Sequence, residues 1–256
     1  HWQGPSTETE FKALELIPGL NVGGYFDAGD FDIETHSNIN VVENLVRVWE
    51  LFRPERDQTF ISQEQRYVDL HRPDGVPDIL QFIEHGTLNL VAQAEIIGHM
   101  AQTLSNSVLD NYHHLGDAAS LTDGLPYNPS LGPYEIAPDG RSSGVKDDMW
   151  AFTSRNPSLD FNAATMFAAA SRALKGYNDD LSERALKQSK RLLKEAGEIM
   201  RKMSEGKEGM RNNGAGGLSA NLQLYVSTGE KEYLDKYEAM LWPALERNVN
   251  YAIMTA

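Results

Sequence analysis

Apolar residues recur three and four apart along most of the chain, a rhythm that predicts a succession of helices. Between Ser37 and Phe52 the stripe is Ile39, Val42, Leu45, Val46, Trp49 and Phe52. Ser37 or Asn38 can cap its start and Pro54 stops it. Trp49 has the ring of a sugar platform, but its place in the stripe makes it a core residue. A connector over 55–73, with Phe60, Ile61, Tyr67, Val68 and Leu70, is expected to hold one brief helix. Pro77 suits a first helical turn. From there Ile79, Phe82, Ile83, Leu90, Ile97, Met100 and Leu104 predict a helix reaching Leu104, with Gly86 and Gly98 inside it as points of close packing. His85 and His99 flank that stripe and read as ordinary helix residues, not ligands.

Helical rhythm returns at Asn156, a good cap followed by Pro157. Ala163, Met166, Phe167, Ala170 and Leu174 lead to a stop at Gly176. Asp180-Leu181-Ser182-Glu183 has the form of a capping box. It opens a helix through Ala185, Leu186, Leu192, Leu193, Ala196, Ile199 and Met203, whose charged face reads as solvated. After the Gly-rich stretch 209–217, shorter helices are expected at 218–228, 230–241 and 243–254, broken at Gly229 and Pro243. No strand alternation shows after residue 35. Helices joined by short turns, about seven of them, imply an all-α fold of antiparallel hairpins.

Two stretches break this rhythm. The first follows a mixed segment, 1–18, whose Phe11, Leu14, Leu16 and Ile17 suit a covering role. After the break at Ile17-Pro18-Gly19 comes Gly23-Gly24-Tyr25-Phe26-Asp27-Ala28-Gly29-Asp30-Phe31-Asp32, with three carboxylates in six positions. A Gly/Asp-rich turn before a helix is ordinarily just a turn, its Asp residues capping or solvated. The flanking aromatics Tyr25, Phe26 and Phe31 point further, because rings stack on the C–H faces of sugars while carboxylates handle the oxygens. Small residues let a substrate or water approach Asp27 and Asp30, and paired carboxylates suit acid/base work. A calcium loop is a third reading, although the spacing is not that of an EF-hand.

The second stretch, 105–152, is rich in Gly, Pro, Asp and Tyr. A segment so long without periodicity is uncommon unless it has a task. It reads either as a cleft wall that binds sugar or an ion, or as an ordered surface excursion. Tyr112, His113 and Trp150 in it, with Tyr25 in the Asp loop, are the candidate sugar-binding residues. His113 and His114 are adjacent, so their side chains diverge, and no third ligand stands at a diagnostic spacing; catalytic zinc is not expected.

Composition narrows the partners. The 256 residues carry a formal charge of −14, which disfavours nucleic acid and anionic membranes but not a neutral polymer. The length suits one domain or a large part of one. There is no cysteine, so disulfides and thiolate metal sites are excluded. No apolar run approaches the roughly 20 residues of a membrane helix, and no signal peptide is visible. His1 in place of Met suggests a trimmed or excised start.

The segment 23–31 resembles the Asp-Ala-Gly-Asp motif of glycoside hydrolase family 9, the cellulase-type inverting glucanases. Three further segments follow in the family's order. Asp74-Gly75-Val76-Pro77-Asp78-Ile79-Leu80 is similar to its Gly-x-Pro-Asp-Ile-Leu helix start. His114-Leu115-Gly116-Asp117 is similar to its Val-Gly-Asp segment. Asn156-Pro157-Ser158 with Ala163-Ala164 and Ala168-Ala169-Ala170-Ser171-Arg172 is similar to its Pro-Gly-Ser and Ala-rich helix.

The resemblance implies an (α/α)6 barrel, a toroid of twelve helices, of which residues 1–256 would form the first half to two thirds as a single catalytic-type domain. It implies hydrolysis of β-1,4-glucan (cellulose, xyloglucan or mixed-linkage glucan) with inversion, Asp30 as general base and Asp27 positioning the water. No cofactor is required, a structural calcium ion is compatible, and the substrate logic places the protein outside the cytoplasm: secreted, periplasmic or at the cell surface. In the family the general acid is a Glu in an Asn-Glu segment near the C-terminus, preceded by a His-Arg segment that binds sugar. No such pair precedes Ala256, and Glu238 and Glu246 lie in helical repeats, so this chain alone is expected to be weakly active or inactive. Leu121-Thr122-Asp123-Gly124 replaces the His and aromatics that often follow Val-Gly-Asp, and Tyr25 stands where Trp is common. A non-hydrolytic glucan-binding helical module is the alternative. An unsaturated glucuronyl hydrolase would share the helical ring but not the Asp-Ala-Gly-Asp match.

Overall fold

The computed structural model describes residues 11, 16–26, 32–62, 65, 67–106, 123, 125, 127–145, 148–205 and 217–247. Their elements run β1 (Ile33–Glu34), α1 (Thr35–Phe52), β2 (Phe60–Ser62), β3 (Tyr67–Asp69), α2 (Asp78–Ile96), β4 (Thr103–Asn106), β5 (Met149–Ala151), α3 (Pro157–Leu174), α4 (Asp179–Ser204), α5 (Leu218–Thr228) and α6 (Lys231–Arg247). The expected helical class holds, with six helices among the described residues and five strands of two to four residues that the periodicity did not show. The chain divides into two compact units, 1–38 with 88–156, and 39–87 with 157–256.

In the first unit an antiparallel sheet of order β1-β4-β5 closes over a small core. Ile17, Leu20, Ile33, Ile97, Ala101 and Leu104 are buried there, with Phe11, Ile96 and Ala151 packed against them. The helix expected to reach Leu104 stops at Ile96. Gly98 is the reason: its φ of 87° takes the chain out of the helix in a conformation other residues avoid. Met100 and Leu104 are buried all the same, Leu104 as a strand residue. Their apolar character therefore fitted the helix pattern without belonging to it.

In the second unit the connector forms a hairpin, not a brief helix: β2 pairs with β3 through Phe60↔Asp69, Ile61↔Val68 and Ser62↔Tyr67. The Arg72 guanidinium covers the Phe60 ring at 4.2 Å. Asp78, the first residue of α2, anchors the hairpin's approach. Its Oδ1 accepts from the backbone N–H groups of Gln58 (2.9 Å) and Thr59 (2.8 Å). Asp57 answers by accepting from the N–H groups of Asp74 (2.9 Å) and Gly75 (2.8 Å). The segment 74–80 is thus a structural node.

The helices of this unit pack on small residues. Ala163, Ala164, Ala168 and Ala170 of α3 are fully buried, and their lack of bulk lets hydroxyls of α4 reach α3 backbone. Ser189 Oγ donates to Ala164 O at 2.6 Å and Ser182 Oγ to Ser171 O at 2.7 Å. The cap of α4 is Asn178, which accepts from Leu181 N–H, so the box expected at Asp180 is replaced by a cap two residues earlier. Pro243 does not break the chain there but lies inside one helix, α6, and the expected helix over 243–254 lies outside the described residues from 248 on. A proline removes one backbone donor, and good helix formers after it carry the helix on. The α1 stripe is buried at Ile39, Val42 and Val46 but not at its end: Phe52 is 74% exposed. Trp49 is half-buried, with the Arg53 guanidinium 4.6 Å from its ring centroid. Among the described residues no helix is long and apolar enough to cross a membrane.

Candidate active site

Asp27, Ala28, Gly29, Asp30 and Phe31 lie outside the described residues, as do Tyr112, His113 and the segment His114–Asp117. What the structure gives is the frame on which the Asp loop is mounted, from Leu20 to Phe26 on one side and from Asp32 into β1 on the other.

That frame is made of buried amides. Asn89, on α2, donates from Nδ2 to Leu20 O at 3.1 Å and accepts at Oδ1 from Gln93 Nε2 at 2.9 Å. Gln93 Oε1 in turn accepts from Thr35 Oγ1 and from Ala101 N–H, each at 3.2 Å. Buried polar groups are costly unless paired, and a paired chain of them defines one arrangement. Gly24 lies against this chain with φ 85°; a Cβ there would stand 2.8 Å from Ile33 Cδ1 and 3.1 Å from Asn89 Cγ. Only glycine meets both demands.

Asn38 holds the next residue at two points. Its Oδ1 accepts from Tyr25 N–H at 2.8 Å, and its Nδ2 donates to Tyr25 O at 2.9 Å and to Glu34 O at 3.2 Å. One side chain thus pins the residue entering the Asp loop and the strand leaving it. The cap role expected of Asn38 gives way to this clamp, because α1 already begins at Thr35. Burial pushes the Tyr25 phenol well above its ordinary pKa, so it stays protonated as a hydrogen-bonding group. Phe26, the residue before Asp27 in the sequence, is 45% exposed.

On the exit side Ile33 pairs with Leu104, Leu104 with Ala151, and Ser105 with Trp150. The strand leaving the Asp loop and the backbone of Trp150 therefore share one sheet. The Trp150 side chain lies outside the described residues. Thr103 Oγ1 ties the edges together by donating to Glu34 Oε1 at 2.9 Å. The stretch before β5 is built in part from turns: Tyr127 N–H donates to the buried Asp148 at 2.7 Å, and Asn128 N–H to Ser143 O at 2.6 Å.

Asn38, Asn89 and Gln93 were not singled out by sequence as site residues. Asn89 and Gln93 carry one signal, polarity among apolar neighbours four apart on one helix face, and Asn38, in the polar run His36-Ser37-Asn38, carries none. We expect Asn38→Leu to leave both Tyr25 backbone groups without their partner and to cost about 2 kcal/mol. Urea unfolding measures this; an unchanged midpoint would mean the clamp holds nothing. Among the described residues no group of three His, Asp or Glu is placed to hold a metal ion.

No protein-family model matches the chain, and no curated protein matches it by sequence. Its structure does have neighbours. A metagenome-derived glycoside hydrolase family 9 endoglucanase matches over 85% of this chain and 35% of its own, with a TM-score of 0.53 and 18% identity. A single mutant of a thermostable endoglucanase from Alicyclobacillus acidocaldarius matches over 86% of this chain and 37% of its own, with a TM-score of 0.53 and 17% identity. A family 9 protein from Bacteroides ovatus matches over 85% and 37%, with a TM-score of 0.52 and 15% identity. These likenesses establish the fold, that of part of a family 9 endoglucanase. The chain spans little more than a third of the length of these neighbours.

Proposed function

We propose that this chain is the Asp-loop part of a glycoside hydrolase that cleaves β-1,4-glucan with inversion. The observation that carries the reading is the two-sided mounting of the Asp27–Asp30 segment, clamped by Asn38 before it and by β1 after it, in a chain with this fold. A base that must meet both a water and a sugar carbon needs a rigid mounting, and fixed flanks on both sides of its segment supply one.

In this reading Asp30 takes the proton of the attacking water and Asp27 orients that water. A carboxylic acid about 6.5–9.5 Å away protonates the leaving oxygen on the other face of the bond. That acid belongs to the part of the enzyme beyond the third this chain spans. Tyr25, Tyr112, His113 and Trp150 contact the sugar rings. No cofactor takes part, and a calcium ion would serve structure only. Residues 1–256 would belong to one catalytic domain, and a polymeric substrate places the enzyme outside the cytoplasm.

Incubation with cellohexaose followed by proton NMR tests this. In a form of the protein long enough to carry the acid, the new reducing ends should appear first as the α-anomer. First appearance of the β-anomer would overturn inversion. Binding of cello-oligosaccharides with no cleavage in that longer form would overturn the hydrolase reading in favour of a glucan-binding module.

A further inference from the structure

An exposed aromatic ring is common and by itself says nothing. Tyr134 differs in the backbone that carries it. It is 84% exposed, and its φ is 67°. Glu135 N–H donates to Gly132 O at 3.0 Å, which makes 132–135 a β-turn with Pro133 and Tyr134 at its two corners. Proline at the first corner and a positive φ at the second define a type II turn, whose second corner ordinarily belongs to glycine. A bulky side chain there is strained.

The turn is fastened on several sides. Gly132 N–H donates to Glu135 Oε2 at 2.8 Å, and Gly144 N–H to Glu135 O at 2.8 Å. Gly144 comes so close that a Cβ there would collide with Gly132 O. Ala137 N–H donates to Ser142 O at 2.8 Å, so the two arms that carry the turn are themselves joined. From there the chain passes through Asp148 into β5, in the sheet that β1 enters from the Asp loop. Both stretches belong to the first unit. Strain of this kind persists where something requires the conformation. The fold gains little from the ring, since most of its surface meets solvent, and glycine would take the corner without strain. Tyrosine adds a flat apolar face and a hydroxyl, both open to solvent, on a hydrogen-bonded turn.

We infer that Tyr134 is a stacking platform for a glucose ring of the glucan chain. The inference rests on the reading of the ligand as a β-1,4-glucan and adds to it a binding residue. The C–H face of a glucose ring is flat and uncharged. The tip matches that chemistry: Pro133 and Ile136 are exposed beside Tyr134 in sequence, and the Glu135 carboxylate is drawn back to the turn's own N–H. A glucan is many rings long, and contacts to rings away from the reacting bond supply binding energy.

Calorimetric titration with cellohexaose, in the form of the protein used for its hydrolysis, decides the matter. Tyr134→Gly should weaken binding about tenfold. The same variant should keep its melting temperature or gain up to about 3 °C, because glycine relieves the strained corner. Tyr134→Trp keeps a stacking face and should bind at least as tightly as the wild type. Phe52→Ser, which removes an exposed ring from the end of α1, should leave affinity unchanged. Wild-type affinity in Tyr134→Gly, tenfold loss in Tyr134→Trp, or an equal loss in Phe52→Ser overturns the platform and leaves the glucan reading standing. A lower melting temperature in Tyr134→Gly overturns it as well, since the ring would then serve the fold. A wild type that neither binds nor cleaves cellohexaose overturns the glucan reading itself, and the platform with it.

Discussion

Replacing Asp30 by Asn should lower hydrolysis of cellohexaose by about 10²–10⁴-fold, the usual contribution of a general base, while affinity for the oligosaccharide changes little. The substitution keeps the size and shape of the side chain and removes its charge and its ability to take a proton from water. It leaves the residues that hold the frame unchanged. The Asn38 clamp acts on Tyr25 and Glu34, and the Asn89–Gln93 chain acts on Leu20, Thr35 and Ala101. The melting midpoint should therefore stay in place. Turnover and cellohexaose binding, measured in a form of the protein that hydrolyses, separate the roles. A fall in kcat with constant affinity is the signature of an interaction made only in the transition state. Asp27→Asn should cost less, because a carboxamide still orients a water by hydrogen bonding. If Asp27→Asn is inert and Asp30→Asn turns over, the two assignments exchange. If both turn over normally, the loop is only a turn.

The reason such an experiment can be designed from sequence is that the two carboxylates are neighbours in the chain. Their spacing and their glycines are visible in one short motif. The frame is not visible in that way. Asn38 reaches Tyr25 across 13 positions and Asn89 reaches Leu20 across 69, and nothing in either amide's local context names its partner. The helices were legible where burial is deep and continuous, as at Ile83, Leu90 and Val91, or along the alanines of α3. The strands were not: at two to four residues each, they are too short for alternation to rise above chance, and their pairing is decided by distant segments. Apolar rhythm alone does not fix where a helix ends. Gly98 read as a packing site inside a helix, and it is the turn that frees Thr103–Asn106 to pair with both β1 and β5.

Arg172 shows the same limit inside the second unit and carries the largest stability effect we expect from one substitution. Its place at the end of Ala168-Ala169-Ala170-Ser171-Arg172 marks it as the charged end of an Ala-rich helix. In the fold its guanidinium joins three helices. It grips Glu50 of α1 through Nε (2.9 Å) and Nη2 (3.3 Å). It reaches α5 at Ser227 Oγ (2.7 Å), Gln223 Oε1 (2.7 Å) and Gln223 O (3.2 Å). A planar fork of five donors can serve acceptors in several directions at once, and a lysine cannot. Arg172→Met keeps the aliphatic stem and the helix propensity and removes every donor. The Glu50 carboxylate is partly exposed and can rehydrate, and Ser227 Oγ keeps its own bond to Ala168 O at 2.7 Å, so the loss falls short of a fully buried pair. About 2–4 kcal/mol is expected, a fall in melting temperature on the order of 10 °C for a chain this long. Arg172→Lys should recover only the Glu50 contact and less than half of the loss. A double-mutant cycle with Glu50→Gln isolates that contact, and a small coupling beside a large Arg172→Met effect would place most of the stabilisation at α5. A melting temperature within 1 °C of wild type for Arg172→Met would mean that the helices are held by their apolar faces alone.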